Sequence, residues 1–126
     1  MSCFWDAIIN KLTKHELSLL GVNKRPTPSL LCKICGNKNK IIGDNVLWQG
    51  ENLNEKEKHE HFISIKECKC LVNRGHLTSS CDSVLLLLCD ICKINIIHKG
   101  VYGTSNYTNT LAKKTIILRS NTYHMW

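Results

Sequence analysis

The segment DSVLLLLCDICKINIIH, residues 82–98, decides the fold because its hydrophobic pattern changes period part of the way along. Its first half is apolar on nearly every side, which is typical of a helix buried at the centre of a domain. Either Ser80 or Asp82 is expected to begin this helix. The second half is rich in β-branched residues and predicts a strand. A central helix that leads into a sheet is therefore the predicted centre of the molecule.

The residues that follow continue the strand pattern. KTIILRS, residues 114–120, predicts a second strand of the same sheet. GTSNYTNT, residues 103–110, contains glycine and asparagine and is interpreted as the connection between the two strands. The final TYHMW is expected to form a last strand or the edge of the sheet.

The residues before this segment predict helices. Phe4, Ile8 and Leu12 fall on one face of a helix over residues 4–12. Thr13 with Glu16 matches the capping-box pattern, in which two side chains satisfy backbone N–H groups at a helix start.

Two later helices carry similar start signals. Thr27 is expected to cap a helix with Pro28 at its first position and Gly36 as its stop. Asn54 with Glu57 is a further capping box.

Helices come first and strands last in this sequence, apart from a short strand expected at residues 46–48. That order predicts an α+β fold, with N-terminal helices followed by a small C-terminal β-sheet. The 126 residues, of which 43% are hydrophobic, are enough for one core. We therefore expect a single domain over residues 1–126.

The composition also limits which cellular compartment and which partners are expected. No apolar run approaches the roughly 20 residues that a membrane span needs, and Asp6 interrupts the opening stretch where a signal peptide is apolar. A soluble, cytoplasmic protein with no membrane partner is expected. The net charge of +7 comes mainly from scattered lysines. Because nucleic acid binds clustered charge, no nucleic-acid surface is predicted.

Two C-x-x-C pairs offer four thiolates to a zinc ion. Cys32 with Cys35 and Cys89 with Cys92 have the ligand spacing of a tetrahedral structural site. The same residues fall in phase with leucines of predicted helices, and cysteine is often buried as a small hydrophobic residue. The pairs predict either a structural zinc or core positions, and no cofactor is expected in the second case.

A different constellation joins Cys3 to a histidine. A thiol at a helix N-terminus meets unpaired N–H groups and the positive end of the helix dipole, which lower its pKa and favour the nucleophilic thiolate. Cysteine proteases pair such a thiolate with a histidine from a distant strand. His124 is the favoured base, while His98 is expected to face solvent at the end of its strand and His76 lies in a loop. The alternative is a terminal thiol without a catalytic role.

Three short motifs together resemble the ovarian-tumour (OTU) family of papain-like cysteine proteases, most of which are deubiquitinases. SCFWDAI, residues 2–8, is similar to the family's nucleophile helix, and residues 82–98 are similar to its buried helix and following strand. YHMW, residues 123–126, is similar to its terminal histidine and aromatic residues. VLWQGENLNEKEKHEHFISI, residues 46–65, also resembles small OTU-like proteins of large DNA viruses.

The resemblance implies a papain-like fold and hydrolysis of peptide or isopeptide bonds after a ubiquitin-like C-terminal tail. Cys3 would attack the carbonyl carbon, and His124 would take the thiol proton and return it to the leaving amine. Backbone N–H groups of Ser2 and Cys3 would face the oxyanion. Tyr123 and Trp126 would shape the channel for the substrate tail.

The same resemblance implies ubiquitin or a ubiquitin-like protein as partner, in the host cytosol or the virion. No acid follows His124, so a Cys-His dyad is implied, or an acid from elsewhere such as Asp6 or Asp44. Two other functions stay open. One is a non-catalytic zinc-binding module, and the other is a catalytically inactive OTU-like protein that binds ubiquitin.

Overall fold

The described part of the chain contains five helices and one five-stranded sheet. The structure is a computed structural model that describes residues 3–67, 79–121 and 124–126, with the backbone alone described at residues 3 and 79–81. None of the described helices is long and apolar enough to cross a lipid bilayer. In chain order the elements are α1 (Cys3–Lys11), α2 (Lys14–Leu19), α3 (Pro28–Asn37), β1 (Val46–Trp48), β2 (Glu51–Asn52), α4 (Glu55–Glu67), α5 (Ser79–Cys92), β3 (Asn95–Lys99), β4 (Thr104–Asn109) and β5 (Thr115–Arg119).

Side-chain caps set the starts of three helices, as the sequence predicts. At α2, the Thr13 hydroxyl accepts from the Glu16 N–H and the Glu16 carboxylate accepts from the Thr13 N–H. Asn54 and Glu57 form the same reciprocal arrangement at α4. Thr27 caps α3 in front of the proline. Each cap satisfies N–H groups that have no partner inside the helix, which is why these starts can be read locally.

The sheet has the strand order β2-β1-β4-β3-β5 and is antiparallel except between β3 and β5. β1 and β2 form a hairpin whose two loop residues, Gln49 and Gly50, both have positive φ. Two-residue hairpin loops need this backbone twist. β3 and β5 run in the same direction with Lys99 opposite Arg119 at their carboxyl ends. The two chain segments that leave these strands therefore start side by side.

α5 lies at the centre of the core, which confirms the prediction of a buried helix. The four leucines at residues 85–88 are fully buried because α5 contacts α2, α3, α4 and three strands of the sheet. Burial of one leucine side chain contributes roughly 2 kcal/mol. α1 packs against α3 and β5 and adds the buried rings of Phe4 and Trp5.

The fold class α+β is confirmed, but two predictions about the sheet are wrong. GTSNYTNT is not a connection: residues 104–109 form β4, which lies between β1 and β3. Asparagine and serine disfavour strands in isolation, yet Tyr107 and Asn109 are buried here and bonded to other elements. The strands are also not confined to the C-terminal part, since β1 and β2 precede α4 and α5 and join the sheet through β4.

The ends of two elements differ slightly from the predicted ends. α3 continues through Gly36 to Asn37, and Lys38 N–H closes it by donating to the Ile34 carbonyl. The final residues form only an isolated bridge, between Ser120 and a residue of the returning chain, instead of a regular strand.

Candidate active site

Large apolar side chains hold the first turn of α1 in the core. Phe4 and Trp5 are buried, and their rings meet edge to face with centroids 5.1 Å apart. Ile8, one turn further on, is buried as well. This anchoring puts Cys3 at the start of the helix, where backbone N–H groups have no partner within the helix. The side chain of Cys3 and all of Ser2, the predicted nucleophile and oxyanion donor, lie outside the described part of the structure.

His124 lies in a hydrogen-bonded turn that follows β5. Arg119 and Trp126 exchange two backbone hydrogen bonds of 2.7 and 2.8 Å. In the turn between Arg119 and Trp126, the Asn121 N–H donates to the His124 carbonyl (2.9 Å), and the His124 N–H donates to Asn121 Oδ1 (2.8 Å). Met125 is buried and anchors the returning chain, whereas His124 is exposed. The backbone of the predicted base is thus held while its side chain stays accessible.

Of the two aromatic residues predicted to shape a substrate channel, the structure describes one. Trp126 is 50% exposed and lies two residues beyond His124. Tyr123 lies outside the described residues. One face of the Trp126 indole is therefore available beside the histidine.

One hydrogen bond joins the carboxyl end of α1 to the amino end of β5. Lys114, directly before β5, donates from Nζ to the carbonyl of Lys11, the last residue of α1 (3.4 Å). α1 also contacts β5. The nine residues of α1 span about 13 Å and the five residues of β5 about 16 Å. The carboxyl end of the helix therefore lies at the amino end of a strand of similar length.

A cleft of about 570 Å³ opens where β3 and β5 end. His98 and Ser120 form part of its wall and are joined by a hydrogen bond of 2.7 Å between Nε2 and Oγ. Asn121, from the turn described above, is the next wall residue. Residues 100–105 and Gln49 complete the lining. This volume is within the range of clefts that hold small molecules or peptide segments.

His98 is a buried member of this cleft, so the prediction that it faces solvent is wrong. It is 8% exposed. Burial lowers the pKa of its imidazole, and the Asp82 carboxylate partly opposes that change. Burial therefore favours the neutral form of the ring, which one hydrogen bond joins to Ser120. The alternation of Ile96 and His98 on one face of β3 was the sequence signal for this burial.

A second polar cluster joins α4, α5 and β4. The Tyr107 hydroxyl donates to the Asp82 carboxylate, and His61 Nδ1 lies 2.7 Å from Ser83 Oγ. Burial lowers the pKa of His61, with nearby carboxylates opposing the change. These contacts connect elements of the core. His76, predicted to lie in a loop, is outside the described residues.

The two C-x-x-C pairs lie on α3 and α5. Cys35, Cys89 and Cys92 are buried, and Cys32 is partly buried. Cys35, Cys89 and Cys92 therefore lie in the hydrophobic core, against which Cys32 packs. Four further cysteine and histidine residues from the middle of the chain have side chains outside the described part: Cys68, Cys70, His76 and Cys81.

The buried thiols act as hydrogen-bond donors. Cys89 Sγ donates to the Tyr107 carbonyl (3.5 Å) and Cys92 Sγ to the Glu16 carbonyl (3.7 Å). Burial raises the pKa of Cys92 to about 12, and it also raises the pKa of Cys35 and of Cys89. Zinc takes thiolates as ligands. Among the described His, Cys, Asp and Glu side chains, no group of three or more is arranged to hold a metal ion.

Comparison with known proteins identifies no relative of this chain. A scan of the chain against protein-family models finds no match. Searches of curated proteins and of solved structures likewise find no protein that matches it.

Proposed function

We propose that the chain is a thiol peptidase with an OTU-like, papain-like fold, which hydrolyses peptide or isopeptide bonds after a ubiquitin-like C-terminal tail. Cys3 is the nucleophile and His124 the general base. The observation that supports this proposal is the position of α1, whose last residue is bonded to Lys114 directly before β5 and which contacts β5. In the proposal, α1 runs along β5 from that point, so that its amino end comes near the carboxyl end of the strand. The chain turns there toward His124.

Local features support both roles. The start of a helix lowers the pKa of a thiol because unpaired N–H groups and the helix dipole stabilise the thiolate. His124 is exposed on a backbone that two hydrogen bonds to Asn121 hold in place. A base on a fixed backbone needs only a side-chain rotation to reach its proton donor.

The proposed reaction follows acyl transfer through a thioester. His124 takes the thiol proton, and the Cys3 sulfur attacks the carbonyl carbon of the scissile bond. Backbone N–H groups of Ser2 and Cys3 receive the oxyanion. The tetrahedral intermediate expels the amine, which takes the proton from His124. Water, deprotonated by His124, then hydrolyses the thioester and releases the tail as a carboxylate with the free thiol.

The cleft beside this turn supports an extended peptide tail as the substrate. Its walls carry hydroxyl, amide, imidazole and backbone groups from residues 100–105 and their neighbours, with no carboxylate or ammonium among the lining residues. Such a wall suits the uncharged backbone of a tail that ends in glycine. Trp126, and Tyr123 by the same resemblance, would border the entrance.

Ubiquitin with a C-terminal vinyl sulfone tests the assignment. We expect a one-to-one covalent adduct with the full chain, mapped to Cys3 by mass spectrometry. Cys3→Ser should abolish the adduct, and His124→Ala should slow its formation by about a hundredfold or more, because a general base contributes that much. His15→Ala is the matched control, since His15 is an exposed histidine of α2, and it should react like the unaltered chain.

The other outcomes separate the alternatives. An adduct at a different cysteine, or a rate that does not depend on His124, would contradict the assigned roles. Reversible ubiquitin binding without an adduct would identify an inactive OTU-like binding protein. One stoichiometric zinc, lost in Cys89→Ser, together with no adduct would identify the zinc-binding module.

A further inference from the structure

A second crevice, of about 430 Å³, lies at the carboxyl end of α1 and is called the helix crevice below. Its floor is aliphatic, and each floor residue is 3% to 8% exposed. This volume and composition are typical of a site for a small ligand. The floor residues are Ile9, Leu12, Leu17 and Val22.

The rim of the helix crevice carries three cations and no carboxylate. Lys14, Lys24 and Arg25 line it, together with the neutral side chains of Ser18 and Asn23. Within the described ranges, none of the three cations takes part in an ion pair. An apolar floor therefore lies under a rim whose cations form no ion pair with any described residue.

The acid of α2 does not balance this charge, because it is already paired. Glu16 is buried and accepts hydrogen bonds from Lys114 Nζ (2.6 Å) and from Thr13. Burial alone raises the pKa of Glu16, but these bonds outweigh it and lower the pKa to about 2. Arg25, by contrast, donates to the side-chain oxygen of Asn10, which is neutral. That bond orients the guanidinium without neutralising it.

Backbone donors adjoin the same rim. The N–H groups of residues 23–25 donate to no described residue, whereas the preceding Val22 N–H donates to the Leu17 carbonyl (2.9 Å). Successive N–H groups in an irregular segment add partial positive charge and can receive an anion. The segment that carries two of the three rim cations therefore also has backbone N–H groups without a described partner.

We propose that the helix crevice binds a small amphiphilic anion. Its hydrocarbon body lies on the aliphatic floor, out of water. Its carboxylate or phosphate head contacts Lys24 and Arg25, with Lys14 completing the rim. A neutral amphiphile brings no opposite charge to the rim cations, so its hydrogen bonds to them are weaker than those of an anion. A cationic amphiphile meets like charge, and an inorganic anion has no hydrocarbon body to cover the aliphatic floor.

Titration calorimetry of the full chain with four probes of equal chain length tests this binding. We expect saturable, one-to-one binding of octanoate or octyl phosphate, and the tighter of the two identifies the head group. Octan-1-ol should bind about tenfold more weakly or worse, because one charge-assisted hydrogen bond accounts for about a factor of ten in affinity. Octyltrimethylammonium should show no saturable binding.

Rim variants locate the site. Lys24→Gln and Arg25→Gln should each weaken binding of the anion about tenfold. Lys33→Gln is the matched control, because Lys33 is an exposed lysine of α3 that does not line the crevice. All three positions are exposed, so circular dichroism should show an unchanged fold. Cys3→Ser should bind the anion normally, which keeps this test separate from the peptidase assignment.

Three results would overturn the proposal. They are no saturable binding of either anion, equal affinity of the rim variants and the unaltered chain, and binding of octyltrimethylammonium as tight as that of octanoate.

Discussion

At the scale of single residues, Glu16 shows how one buried acid joins distant parts of the chain. It completes the capping box of α2 and also binds Lys114 at the start of β5. Burial alone raises its pKa, but the bonds from Lys114 and Thr13 bring the pKa down from 4.5 to about 2. The folded state thus releases this proton more readily than the unfolded chain. Its contribution to stability is present above about pH 4.5 and is lost as the pH falls toward 2.

We expect Glu16→Gln to lower the free energy of unfolding by about 2 kcal/mol at neutral pH. This value is below the full linkage energy because Lys114 is 38% exposed and its charge is screened by solvent. Urea unfolding at neutral pH and at about pH 3 measures the effect, and the difference from the unaltered chain should shrink at the lower pH. The exposed Glu67→Gln is the control and should change stability little at either pH. An equal loss at both pH values would contradict the pairing.

At the scale of elements, β4 shows how a polar strand can lie inside a sheet. Asn109 Nδ2 donates to the Cys89 carbonyl (2.8 Å), and Oδ1 accepts from the Leu111 N–H (2.8 Å). Its backbone N–H donates to Asn95 Oδ1 (2.9 Å). A buried amide is tolerated when its polar atoms are bonded. β4 therefore depends on partners from α5 and β3 more than on its own propensity.

Asn109→Ala should destabilise the protein by about 1 to 3 kcal/mol, because it leaves the buried Cys89 carbonyl without its side-chain partner. Asn106→Ala is the matched control in the same strand, since the Asn106 side chain makes no hydrogen bond to a described residue. Its cost should stay below about 1 kcal/mol. Thermal and urea unfolding measure both variants. Equal losses in the two would show that strand propensity, and not the buried amide, holds β4 in place.

At the scale of the whole molecule, the buried His98 and the partly buried His61 connect separate layers. His98 joins β3 to the end of β5 through Ser120, and His61 joins α4 to α5 through Ser83. Burial lowers the pKa of each ring below its ordinary value of 6.5, while the carboxylate of Asp82 opposes the change at both. The folded state binds these protons less tightly than the unfolded chain. Stability therefore falls as the pH drops below 6.5 and rises with pH through this range.

The double variant His61→Gln/His98→Gln should flatten the decline of stability between about pH 7 and pH 5. Urea unfolding midpoints across this range measure the slope. His15→Gln is the control because His15 is exposed, and its slope should match that of the unaltered chain. A double variant with an unchanged slope would mean that other groups cause the acid sensitivity of the fold.

The candidate site was predictable only in part. The pairing of a helix-start thiol with a late histidine rests on motifs at residues 2–8 and 123–126, and the structure adds only the contact between the end of α1 and the start of β5. The cleft and the burial of His98 were not predicted. Ser120 lies 22 positions from His98, so no local pattern joins the two residues.

The sequence by itself determined the helix starts, the buried α5 and the strands β3 and β5. Caps such as Thr13 with Glu16, and the continuous apolar run at residues 85–88, involve positions only a few residues apart, so local rules suffice to predict them. Only the tertiary structure decided that β4 is a strand, that β1 and β2 join it, and that a cleft opens beside His98. Those outcomes depend on hydrogen bonds between distant residues, such as Asn109 with Cys89. Whether a buried polar group has a hydrogen-bond partner depends on how the chain packs in three dimensions, and not on its neighbours in sequence.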